Sequence, residues 1–79
     1  MTPWEEYLEF EKERKRLESE MRELARSMGA DYVEYNIVND EGLSAAQYRA
    51  LARAMGKIIS NSYRLSLALE MSRQPEEGN

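Results

Sequence analysis

Neither cysteine nor histidine occurs anywhere in the 79 residues. Without cysteine there is no disulfide and no thiolate metal site. Without histidine the chain lacks the commonest metal ligand and the commonest general base. Proline is limited to two residues and glycine to four, so little interrupts regular structure. No apolar run approaches the roughly 20 residues of a membrane span. No G-x-G-x-x-G, Walker loop, nucleophile elbow or zinc pattern is present. The segment Met1-Thr2-Pro3-Trp4-Glu5-Glu6 is acidic, unlike a signal or transit peptide, and a cytoplasmic location is expected. These absences predict a non-enzymatic chain with no catalytic residue, no metal and no cofactor.

What remains is 42% hydrophobic and 33% charged, with net charge −4 and mean hydropathy −0.77. That balance suits amphipathic helices with broad solvated faces. The length allows one domain, which buries roughly 60–65% of its unfolded surface. Domains this small lean on a disulfide, a metal or oligomerisation, and only the last is open here.

The spacing predicts a mainly α fold of two long antiparallel helices. Thr2, Pro3 and Glu5 form a T-x-x-E capping box with proline at the first helical position. Tyr7, Phe10, Leu17, Met21, Leu24 and Met28 follow at three–four spacing, interrupted by Arg14. Gly29 supplies a stop, so the first helix is expected over about 3–28. Ser44 and Gln47 make a second capping box, with Leu43 and Tyr48 at the positions of a hydrophobic staple. The seam then runs Tyr48, Leu51, Met55, Ile58, Ser62, Leu65, Leu69 before Pro75, giving a helix over about 44–72. A single domain over 1–73 and a frayed polar tail over 74–79 complete the expected layout.

The connector alternates like a strand over about 31–39. Val33, Tyr35 and Ile37 share one face; Tyr32, Glu34, Asn36 and Val38 share the other. A lone strand leaves its N–H and C=O groups without partners. The reading is either a loop packed on the helices or a strand paired with another copy or another protein. Surplus apolar residues near the chain ends, Trp4, Tyr7, Leu8, Phe10, Leu67 and Met71 among them, also favour dimerisation. The expected dimer-interface residues are Trp4, Tyr7, Phe10, Val33, Tyr35, Ile37, Leu67 and Met71.

Arg49, Arg53 and Lys57 repeat at i, i+4 on the second helix, with Arg64 beyond. Like charges at that spacing cost a few tenths of a kcal/mol per pair. Glu23 opposite Arg49, and Glu20 or Glu18 opposite Arg53, would offset it across the helical hairpin. Otherwise these four cations are candidates for binding a partner or phosphate groups. Ala52, Gly56 and Ser60 form a row of small residues that predicts close packing against the first helix or a symmetry mate. Asp31, Glu34, Asp40 and Glu41 lack the ligand density of a Ca²⁺ loop and read as an acidic surface. The combined expectation is an oligomeric protein-binding module: a small inhibitor, adaptor or regulatory subunit, such as phages and mobile elements carry as accessory proteins. A nucleic-acid or nucleotide-phosphate binder is the alternative. No membrane role is expected.

Overall fold

The computed structural model describes residues 1–74. Two helices, α1 (Pro3–Ser27) and α2 (Ala45–Arg73), are joined by a small antiparallel hairpin of β1 (Asp31–Val33) and β2 (Asn36–Val38). The expected helix bounds hold to within a residue, because both starts are fixed by side-chain chemistry. The Thr2 hydroxyl accepts from the Glu5 N–H at 3.1 Å, and the Glu5 carboxylate accepts from the Thr2 N–H at 2.9 Å. Ser44 and Gln47 repeat the arrangement at 3.2 and 2.8 Å. Each cap contributes about 1 kcal/mol. The first helix ends in a Schellman motif: Ala30 N–H donates to the Ala25 carbonyl, Gly29 N–H donates to Arg26, and Gly29 takes φ 83°. The helix 2 start lacks acids in its first turn, so its capping box alone supplies the N-terminal acceptors.

The helices pack antiparallel into a rod of 57 × 17 × 16 Å. Its radius of gyration is 16.1 Å, against about 12 Å expected for a compact chain of this length. The core is correspondingly thin. Leu17, Met21 and Ala25 of α1 meet Leu51 and Ile58 of α2, with Ala30 and Tyr32 closing one side. Each large member stabilises the fold by roughly 1.5–3 kcal/mol through burial. Farther along the rod the buried Asn61 donates from Nδ2 to the Phe10 carbonyl at 3.0 Å. That bond sets the register of one helix against the other.

The connector differs from a single strand in a way that matters. Its nine residues fold back on themselves, pairing Asp31 with Val38, Tyr32 with Ile37 and Val33 with Asn36. The turn uses Glu34 and Tyr35 at φ 46° and 68°, the signature of a type I′ turn. Asn36 Nδ2 donates to the Glu34 carbonyl at 3.0 Å, and Asn39 Nδ2 donates to Asp31 Oδ2 at 2.9 Å across the open end. The inward-facing backbone groups of β1 and β2 are therefore paired within the chain, neither strand is alone, and the lone-strand argument for dimerisation falls. The faces also change. Tyr32 is buried and Ile37 packs against the core, whereas Val33, Tyr35 and Val38 are exposed. Across a tight turn the cross-strand partners, not the i, i+2 series, share a face. Tyr48 leaves the seam as well: its hydroxyl lies 2.9 Å from both the Asp40 carbonyl and Asp40 Oδ2. The expected tail falls almost wholly on residues 75–79, outside the described residues; Gln74 caps α2.

Candidate functional site

The charge pattern of α1 resolves into two intrahelical clusters. Arg14 reaches Glu11 and, at 3.0 Å, Glu18; Arg16 reaches Glu13 at 2.6 Å and Glu20 at 2.7 Å. Both arginines sit three residues after one acid and four before another, the spacing at which helix neighbours meet. Arg14 occupies the seam half-buried, its guanidinium held between Glu11 and Glu18. Its hydrogen bond holds Glu11 below the ordinary carboxylate value, and the Arg16 bond does the same for Glu13.

This partition leaves the basic row of α2 without the expected interhelical partners. Among the described residues no carboxylate lies within 4.0 Å of Arg49, Arg53, Lys57 or Arg64. Glu20, expected opposite Arg53, is taken by Arg16; Glu18 is taken by Arg14. The acids on α1 found closer partners one turn away. Arg53, Lys57 and Arg64 line a groove of about 920 Å³ between the helices, together with Lys12, Arg16 and the acids Glu9, Glu13 and Glu20. Its floor is Phe10, Leu17 and Asn61. Arg49 lies outside this groove. A smaller depression of about 430 Å³, lined by Leu17, Met21, Leu24, Ala50 and Ala54 with Glu20, Arg53 and Lys57 at its edge, continues it toward the connector. Arg53, Lys57 and Arg64 therefore line one open groove without ion pairs of their own, and Arg49 stands apart from it.

The second surface is apolar. Among the described residues, eleven large hydrophobic side chains are exposed and five are buried. At the open end of the rod Trp4 stacks on Tyr7 with ring centroids 5.1 Å apart. Trp4, Leu8, Leu67 and Met71 are all exposed there, while Tyr7 and Phe10 are half-buried. The expected interface residues thus separate into two groups. Trp4, Tyr7, Phe10, Leu67 and Met71 belong to the open half of the rod. Val33, Tyr35 and Ile37 belong to the connector, where Ile37 serves the chain's own core.

Tyr35 also has an internal role, its hydroxyl lying 3.1 Å from the Ser62 hydroxyl of α2. This contact pins the hairpin tip along the side of the helices. Tyr32 lies beneath, its hydroxyl buried with no hydrogen-bond partner. Loss of solvation, with the Glu18 charge second, raises its pKa above the ordinary 10.0. Strand alternation set Tyr32 and Tyr35 on opposite faces, one for the core and one exposed, and the structure buries Tyr32 and exposes Tyr35; spacing did not single out Asn61 or Ile59, and the value of the buried Asn61 depends on its tertiary neighbours.

Gly56 does not pack against α1. A Cβ built on it would meet nothing within 4 Å. Ala52, Gly56 and Ser60 are all exposed. Of the two explanations for the small-residue row, the intrachain one fails.

Among the described residues no cluster of three or more acidic side chains could hold a metal ion, and no helix is long and apolar enough to cross a membrane. No protein-family model, curated protein or solved structure matches the chain.

Proposed function

We propose that the chain is a non-enzymatic binding module that works as an oligomer and acts as a small inhibitor, adaptor or regulatory subunit. The observation carrying this reading is the imbalance of apolar surface: a thin core with more large hydrophobic side chains outside than inside. Soluble monomers expose single hydrophobic residues freely, but contiguous patches accompany interaction sites. Trp4, Tyr7 and Met71 at the open end are residue types enriched at protein interfaces. Association would bury this surface and thicken the core that two helices alone leave thin.

The test is light scattering across a concentration series at low and high salt. A mass above the 9.2 kDa of one chain that persists in high salt is expected. A salt-independent monomer at every concentration refutes the oligomeric reading.

A second reading rests on a separate observation. The cations Arg53, Lys57 and Arg64 share one groove edge and, among the described residues, none of them is ion-paired, the groove's Glu13 and Glu20 being bonded to Arg16. Such an edge suits phosphate groups of a nucleic acid or nucleotide. Its binding should weaken steeply with salt and disappear in Arg53→Glu. Absent or salt-insensitive binding removes this alternative.

A further inference from the structure

The β1–β2 hairpin lies against one side of the helix pair, and little holds it there. Of its large hydrophobic side chains, Tyr32 is buried and Ile37 packs against the core, while Val33, Tyr35 and Val38 are exposed. β1 packs along α1, and β2 is held chiefly through β1. One of the two inward side chains also works against closure. The buried Tyr32 hydroxyl has no hydrogen-bond partner among the described residues and regains hydration once uncovered. The backbone adds strain. Glu34, Tyr35 and Asn39 take φ 46°, 68° and 55°, and of the three only asparagine adopts that region readily.

The ties are uneven along the hairpin. At its root, the buried Ala30 donates from its N–H to the Ala25 carbonyl, and the Tyr48 hydroxyl of α2 meets Asp40. Asn39 Nδ2 donates to Asp31 there and keeps the two strands together. The tip is held by the exposed contact between the Tyr35 and Ser62 hydroxyls, where water competes. The helix pair has its own ties elsewhere. Leu17 and Met21 meet Leu51 and Ile58, and the Asn61 bond to the Phe10 carbonyl lies toward the open end.

We infer that the hairpin is a strap that lifts tip-first, pivoting at Ala30 and Asp40, while α1 and α2 stay packed. Lifting hydrates the Tyr32 hydroxyl, relaxes Glu34 and Tyr35, and uncovers the side of the core that Tyr32 closes. The apolar seam thereby becomes accessible with both helices intact, whichever binding reading holds. The lifted strands have no face to rest on, and a two-stranded hairpin alone is marginal in water. Their ladder amides therefore exchange in the open state.

Native-state hydrogen exchange of the full chain at low urea concentrations is the test. The ladder amides of β1 and β2 should be at least about tenfold less protected than the mid-helix amides of Met21 and Ile58. Their exchange should rise with urea at a shallow but measurable slope, because lifting exposes Tyr32 and Ile37. Tyr35→Phe removes the tip bond and should speed hairpin exchange about fivefold. The discriminating variant is Asn61→Ala. Its bond to Phe10 is present with the strap closed or open, so mid-helix protection should fall at least about fivefold while hairpin protection stays unchanged. Hairpin and helix amides that share one protection factor and fall together in Asn61→Ala overturn the inference. So does hairpin exchange with no urea dependence, which would report fluctuations too small to lift Tyr32.

Discussion

Replacing Tyr32 by phenylalanine should make the protein more stable. Tyr32 is 7% exposed and sits under the β-hairpin against α1, and its hydroxyl has no hydrogen-bond partner among the described residues. A buried polar group without a partner costs about 1–3 kcal/mol in lost hydration. Phenylalanine keeps the ring and its packing and removes that cost, so a gain of about 1 kcal/mol is expected, at the low end because local relaxation admits some water. For a domain of this size that corresponds to a rise in Tm of about 4–8 °C. Urea denaturation should show a higher midpoint with an unchanged slope, since the area exposed on unfolding barely changes. The pH dependence supplies a second reading. The folded-state pKa of Tyr32 lies above its unfolded value, because burial disfavours the phenolate. The associated stability is complete below the ordinary tyrosine pKa of 10.0 and is lost as pH rises through the higher folded value. The alkaline decline should therefore be shallower in Tyr32→Phe. A loss of 1 kcal/mol or more in the variant would refute the reasoning, since it would mean that the hydroxyl makes a productive bond.

Three further outcomes follow from the same geometry. Asn61→Ala removes the bond to the Phe10 carbonyl and part of a buried side chain, and should cost about 1–2 kcal/mol in chemical denaturation. Glu34→Asn places a residue tolerant of positive φ at the first turn position and should stabilise by about 0.5–1 kcal/mol in thermal melts. On acidification, Glu5 and Glu11 have folded pKa values below the ordinary 4.5, Glu5 chiefly through the Thr2 N–H and Glu11 chiefly through Arg14. Their contribution is present above 4.5 and disappears as pH falls through the lower folded values, so α1 helicity by circular dichroism should decline only below about pH 4.5. Glu5→Gln should flatten that decline.

The two helices were legible because their signals are local. Thr2, Pro3 and Glu5, then Ser44 and Gln47, carry their geometry in adjacent side chains, and Gly29 marks the stop. The β-hairpin was not legible because Glu34-Tyr35 replaces the Asn-Gly that usually announces a type I′ turn. Tyr35 is held at positive φ by a tertiary contact with Ser62, which no short window contains. The expected pairing of α1 acids with α2 cations failed for a related reason. Arg14 and Arg16 compete for the same glutamates at shorter reach, and intrahelical pairs need no particular helix–helix angle. The cation row itself was legible from its i, i+4 spacing, but its lack of ion pairs among the described residues became visible only in three dimensions. Gly56 was recognised as unusual in sequence; the structure supplied the direction it faces.

Because α1 and α2 run antiparallel, Met1 and Gln74 emerge at the same end of the 57 Å rod, the end that carries Trp4 and Leu8. A fusion joined at Met1 would therefore sit beside the aromatic cluster and compete with any association through it. Gly42 lies on the opposite half of the molecule, exposed, with nothing within 4 Å of a built Cβ. A short epitope inserted there would report on the protein while leaving its open end uncovered.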